Sequence, residues 1–291
     1  METLANLNAQ MVAGQLLLGS INGAFYATLS IGLSVVFGLL GLVNFMHGVM
    51  YMLGAFGAWL LLDRLGLGYA WALVFVPIAM AMLALPLERF VLRRLYQTDH
   101  LVGLLVTLGL GMVVEAVFRN IFSASGRPYP NPMPGGLELG DFFLPYYRLW
   151  VIAAAAAACL GTWALAEKTR FGAQLRAAME KSDIVQALGV DVPRLRALTF
   201  AGGAALAAFA GVLAAPIYQV SPSMGNGLLV IAFAVVVIGG MGSILGSIVI
   251  GFVLGIAESM VKLVYPQAAA TTIFVVMIAV LLFRPRGLFG R

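Results

Sequence analysis

The sequence predicts an all-α, polytopic transmembrane helical bundle, and three observations carry that prediction. Hydrophobic residues make up 62% of the 291-residue chain and charged residues only 10%, against about 25% charged in a soluble domain. Mean hydropathy is +1.00. Residues 3–62 and 197–257 contain no Asp, Glu, Lys or Arg, and each run far exceeds the ~20 apolar residues that cross a bilayer. The chain reads as a single transmembrane domain over 1–291, without a separate soluble domain.

Candidate spans fall at 10–40, 43–62, 70–87, 101–118, 149–166, 197–216, 228–241, 244–262 and 268–283. The first is long for one straight helix, so a break or tilt is expected there; the seventh is short. About nine spans result, with eight to ten possible, because 228–262 also reads as a hairpin of half-helices or one long bent span. The amino-terminal METLANLNAQMVAGQLL lacks the basic stretch of a signal peptide, so the first span is expected to be retained.

Basic loops set the orientation. Arg89, Arg93 and Arg94 lie in 88–100, six basic residues in 167–196, and Arg284, Arg286 and Arg291 in the tail. The positive-inside tendency places all three segments in the cytoplasm, which requires an odd number of crossings from an outside amino terminus. The segment 119–148, rich in Pro and Gly, then becomes an external loop of irregular backbone. Glycine pairs at Gly19/Gly23, Gly242/Gly246 and Gly251/Gly255 have the four-residue spacing that lets membrane helices approach closely, within the bundle or between copies.

Several function classes are disfavoured. The +5 net charge sits mostly in short loops, so it signals topology and no nucleic acid. Cys159 is alone and apolar in context. The three lysines, Lys168, Lys181 and Lys262, never follow a glycine in a phosphate-cradling frame, so ATP hydrolysis by this chain is not expected. His47 and His100 are the only histidines, and no ligand spacing predicts a metal; no cofactor is expected. Ionisable residues inside spans are few. Glu115 precedes Arg119 by four, and Glu258 precedes Lys262 by four. Both read as helix-end ion pairs or as parts of a solute pathway, and neither resembles a proton relay.

Two stretches are unusual. In GLLGLVNFMHGVMYMLGAFGAW, Asn44 and His47 stand beside Gly41 and Gly48. That pattern fits a broken helix whose freed backbone needs internal partners, or a capped turn at the cytoplasmic surface with Asn44 as N-cap and His47 in the first turn. The other is 167–196, where 30 residues hold ten of the chain's 29 charges. Phe171, Leu175, Ala178 and Met179 form one apolar helical face, with Arg176, Glu180 and Asp183 opposite. Gly189 is placed to end that helix and Pro193 to start the next. Six positive and four negative charges suit protein docking better than a lipid surface alone.

NFMHGVMYMLGAFGAW, LVGLLVTLGLG, LRAAMEKSDIVQALGVDVPRLRALTFAGGAALAAFAGVLAAPIYQ, VVVIGGMGSILGSIVIGFVLGIAESM and FRPRGLFG follow one another in that order. Over nearly the whole chain this order resembles the LivH type of branched-chain amino acid ABC importer permease. The NF-x-HG-x-x-x-MLGA stretch points to the LivH-like subunit. The resemblance implies a bacterial inner-membrane importer with a second, LivM-like permease, two cytoplasmic ATP-binding subunits and a periplasmic solute-binding protein. It also implies that 167–196 is a coupling segment, with Arg176, Glu180 and Gly189 as coupling positions. Lys181 and Ser182 depart from the two alanines that often follow the family's glutamate, while Gly189 keeps the nine-residue offset. The expected solute path is lined by Asn44, His47, Thr107 and the turn Gly239, Gly240 and Gly242. Two other readings stand beside this one: a sister system importing urea or short amides, and an ion-coupled carrier working alone.

Overall fold

The structure is a computed structural model describing residues 9–96, 98–139 and 142–290. Its order is α1 (Ala9–Leu40), α2 (His47–Leu65), α3 (Tyr69–Leu95), α4 (His100–Phe122), β1 (Gly136–Leu139), β2 (Phe142–Pro145), α5 (Tyr146–Lys168), α6 (Arg170–Ala187), α7 (Val192–Ala214), α8 (Met224–Gly239), α9 (Ile244–Val264) and α10 (Ala269–Phe283). Eight helices are long and apolar enough to cross a membrane, and α8, at 16 residues, is a ninth, shorter apolar helix. The expected all-α bundle is therefore observed.

Three boundaries differ from the sequence reading. The first span is one unbroken 32-residue helix. It contains no proline, and 78% of its apolar window is buried, against 11% for the last span. Neighbours on all sides make α1 the axis of the bundle. The third span continues to Leu95 through a π-helical turn, Glu88–Leu92, just after Pro86. Glu88 is buried and accepts a 2.8 Å bond from the Tyr96 hydroxyl, which holds the added turn in place. Burial, and then that carboxylate, push the Tyr96 phenol well above its ordinary value. In 119–148, α4 runs on to Phe122 and the segment ends in an antiparallel hairpin pairing Leu137 with Leu144. Only the part between them is irregular.

Glycines let α1 and α9 pack backbone to backbone. A Cβ added at Gly19 would lie 2.7 Å from Ile256 Cα, and one at Gly23 2.8 Å from Phe252 Cα. One at Gly251 would lie 2.6 Å from Ala27 Cα. These spaced glycines are thus used inside the bundle, where lipid provides no hydrophobic drive and close contact must replace it. Buried hydroxyls add bonds: Ser30 donates to Ala232 O on α8 (3.3 Å) and Ser34 to Ser243 O (3.4 Å).

Contacts between helix ends show which ends lie together. The Tyr147 hydroxyl donates to Leu213 O (2.8 Å) and Trp150 Nε1 to the Tyr69 hydroxyl (3.1 Å), joining the starts of α3 and α5 to the end of α7. At the other end, Arg196 stacks on Tyr96, with 5.1 Å to the ring centroid. Met179 of α6 touches Gly242, and Leu288 N donates to Ile238 O (2.8 Å). The three basic segments therefore gather at one end of the bundle.

Gly23→Val should lower stability in detergent by about 1–3 kcal/mol, because overpacking a tight contact shifts backbone. Gly202→Ala on α7, where an added Cβ meets nothing within 4 Å, should be neutral or slightly stabilising. Thermal unfolding of the two variants tests the contrast.

Candidate functional site

The first candidate region is the break between α1 and α2. Helix α1 stops at Leu40, Gly41 adopts φ +66°, and residues 41–46 are not helical. Broken backbone in an apolar bundle needs partners from within the protein, and here short polar side chains provide them. The Asn44 side-chain oxygen accepts from Met46 N (3.0 Å). The Thr107 hydroxyl on α4 accepts from Phe45 N (3.2 Å) and lies 3.3 Å from Val43 O. His47 Nε2 lies 3.1 Å from Leu29 O near the middle of α1; a carbonyl only accepts, so Nε2 carries the proton. The first turn of α2 thus starts well inside the bundle.

The structure brings Asn44, His47 and Thr107 together, as the sequence reading expects, each no more than 2% exposed. The helix is broken, as the first local reading expects; the second is corrected, because Met46 is the N-cap of α2 and the turn that Asn44 braces is buried inside the bundle, away from any surface. Asn44 Nδ2, a donor, and His47 Nδ1, an acceptor, are buried without a hydrogen-bond partner.

Helix α8 also begins at this level. A Cβ on Gly225 would strike Gly48 O, so the starts of α2 and α8 meet at a glycine-to-glycine contact. Asn226 Nδ2 donates to Glu115 Oε2 (3.1 Å), and Glu115 pairs with Arg119 at 2.5 Å. Sequence reading finds the Glu115–Arg119 pair but misses Gly225 and Asn226. The signal was MGNG opening an apolar run, a helix start within hydrocarbon reach. Two helices that start inside a bundle, with polar side chains around their amino ends, form a recurrent setting for polar solutes.

Glu258 departs from expectation. Its carboxylate does not pair with Lys262; it accepts a 2.6 Å bond from the Tyr26 hydroxyl across the α1–α9 contact. The two side chains share a helix, but the buried tyrosine on the facing helix offers a donor with its geometry already fixed by packing, whereas Lys262 is exposed.

The second region is the end that carries α6. Thr169 caps it, accepting from Gly172 N (3.2 Å). Leu175 and Ala178 are buried, and Phe171 and Met179 pack partly against the core, as the apolar face predicts. The helix kinks at Lys181 (φ −146°, ψ 83°). Gly189 then adopts φ +91°, and Asp191 caps α7 by accepting from Arg194 N (3.0 Å).

Arg176 corrects the expectation of a fully polar outer face. It turns back to donate to Ala166 O near the end of α5 and pairs with Glu167 at 3.2 Å. A helix end leaves carbonyls without internal partners, and a guanidinium one turn away is a ready donor. Arg176 therefore fixes α6 to α5, while Glu180 stays exposed. The sequence reading also misses two outward apolar side chains, Ile184 (52% exposed) and Leu188 (79% exposed).

Gly239, Gly240 and Gly242 lie at this end, away from Asn44, His47 and Thr107. Gly240 and Gly242 have φ of +100° and +84°, a region L side chains rarely adopt. Phe289 N donates to Gly239 O (3.1 Å), so the carboxy-terminal tail clasps the turn. The Met179 methyl fits between Gly38 of α1 and Gly242. A cavity of about 640 Å³ beside it is lined by Arg176, Met179, Glu180 and Gly242. The α6 helix is thus held by its packed apolar face, Leu175, Ala178 and Val185, and by the Arg176 and Met179 contacts.

The family profile described as "Branched-chain amino acid transport system / permease component" matches residues 15–283. The high-affinity branched-chain amino acid transport system permease protein BraD of Pseudomonas aeruginosa is 30% identical over 95% of this chain and 95% of that protein. The permease protein LivH of Escherichia coli is 29% identical over 95% of each. LivM of Escherichia coli is 29% identical over 90% of this chain and 67% of that protein. The solved PsaBC from Streptococcus pneumoniae in complex with Fab aligns with a TM-score of 0.47 and 16% identity, covering 91% of this chain and 89% of that one. With a broken-helix junction inside the bundle, an amphipathic helix packed at the end where the basic segments gather, and a family match over residues 15–283, this chain belongs to the permease components of branched-chain amino acid transport systems.

Proposed function

We propose that this chain is the LivH-like permease of an ATP-driven importer of branched-chain amino acids in a bacterial inner membrane. It works with a LivM-like permease, two cytoplasmic ATP-binding subunits and a periplasmic solute-binding protein. The observation that carries this reading is α6: an amphipathic helix with its apolar face on the bundle and Ile184, Leu188 and Glu180 turned outward at the end shared by the basic segments. The positive-inside tendency puts that end in the cytoplasm. The outward face is what an ATP-binding partner would grip.

Motion then has a physical route. ATP binding closes the paired subunits and displaces α6. Arg176 carries the displacement to α5, and Met179 carries it to α1 and the 239–242 turn. Helix α1 is bonded through Leu29 O to His47 at the α2 start. A shift of α1 therefore reaches the Asn44–His47–Thr107 junction, where the solute path would open. The binding protein provides most of the solute selectivity. Import of urea or short amides uses the same route, and uptake competition with those solutes separates the two.

In the assembled complex, Ile184→Asp with Leu188→Asp should weaken binding of the ATP-binding subunits about thirty-fold or more, as loss of a central apolar anchor costs roughly 2 kcal/mol. Co-purification reads this directly, and unchanged recovery contradicts the docking assignment. Arg176→Glu with Glu180→Arg should abolish solute-stimulated ATP hydrolysis in a permease that still folds; retained stimulation removes the lever. Thr107→Val leaves the Phe45 amide without its acceptor, and should cost about 1–3 kcal/mol of stability and reduce uptake. Uptake by this chain alone, collapsed by an uncoupler and indifferent to ATP, would replace the importer by an ion-coupled carrier.

A further inference from the structure

Among the described residues, Glu258 is a carboxylate in a membrane-spanning helix that makes no ion pair. The described residues hold three ion pairs, Asp63–Arg64, Glu115–Arg119 and Glu167–Arg176, and none includes Glu258. Its hydrogen-bond partner is a neutral donor, the Tyr26 hydroxyl. Such a group facing lipid would be expensive, so ionisable residues in spans face protein or water and mark pathways.

Its surroundings are rich in acceptors. Gln15, Gly19, Asn22 and Tyr26 fall on one face of α1 at helical spacing, and that face meets α9 at Ile256 and Ser259. Asn22 Oδ1 accepts from the Tyr218 hydroxyl (3.2 Å), and the Tyr218 ring lies against Phe25 with centroids 5.9 Å apart. Gln15 Oε1 is buried without a partner. Tyr218 lies between α7 and α8, and is 42% exposed.

We propose that Glu258, with Tyr26, Asn22 and Tyr218, receives the primary ammonium group of the incoming amino acid on the outer side of the permease. A carboxylate attracts an ammonium and repels a carboxylate, and the hydroxyl oxygens of Tyr26 and Tyr218, whose protons go to Glu258 and Asn22, keep lone pairs to accept from the ammonium. A zwitterion therefore enters amino end first toward Glu258, and its own carboxylate points away from it. The short α8 helps: it begins inside the bundle, so the outer part of its column is left to the segment 215–223 and its partly exposed Tyr218. The inference rests on the amino acid importer reading.

The test is leucine uptake by the assembled complex in proteoliposomes, with subunit stoichiometry measured on the same preparations. Glu258→Gln keeps an acceptor for Tyr26 but removes the charge. It should assemble normally and lower uptake at least ten-fold, while Lys262→Gln, which does not touch the carboxylate, should match wild type. Wild-type uptake by the Glu258→Gln complex overturns the inference. Loss of the second permease from that complex also overturns it, assigning Glu258 to an ion pair between permeases. If the wild-type complex takes up no amino acid, the importer reading fails first and takes this inference with it, so the two failures are distinguishable.

Discussion

Close backbone contact around α1 is the constraint on which the rest depends. In hydrocarbon, helices gain nothing by hiding apolar surface from one another, so dispersion and a few polar bonds must hold them. Gly19 and Gly23 against Gly251, Gly255 and their neighbours bring α1 and α9 together at distances no side chain would allow. That fixed axis then serves both regions. At Leu29 it holds His47 and the start of α2; at Gly38 it receives Met179 from α6. A rigid element contacted at both places is the simplest physical link between a helix at one end and a break inside the bundle.

The same logic explains where polar residues are found. Asn44 and Thr107 are tolerated in an oily core because each bonds backbone that the α1–α2 break sets free, and His47 because its ring bonds a carbonyl of the facing helix, Leu29 O. Arg176 is spent on the exposed end of α5. At these two regions polar groups sit where helices are interrupted; the unbroken α1 and α9 carry their own at their mutual contact, among them Tyr26 and Glu258.

Much of this was legible in the sequence because it depends on local pattern. Charge-free runs gave the spans, the Phe171–Leu175–Met179 spacing gave the buried face of α6, and Gly189 with Pro193 gave the turn after it. Asn44 and His47 announced the break by standing beside glycines in an apolar run. What was hidden depends on partners distant in sequence. Glu258 lies four residues from Lys262 but bonds Tyr26, 232 positions away. Nothing local tells Arg176 to turn inward toward Ala166. Gly239–Gly242 read as part of the solute path, yet the fold seats it beside Met179 and the tail, because a glycine run fits any close approach and does not say which.

The central claim is that α6 and the 239–242 turn move as one body. Spin labels on Ala177→Cys of α6, Leu245→Cys beside the turn and Ile121→Cys near the end of α4 would measure it; all three positions are exposed, and native Cys159 is buried. In the assembled complex, a non-hydrolysable ATP analogue should leave the Ala177–Leu245 distance unchanged while the Ala177–Ile121 distance shifts, because α4 packs on α2 and lies outside the α1–α9 pair. A change in the first distance with the second constant would show α6 sliding over the bundle without moving it, and would contradict the account.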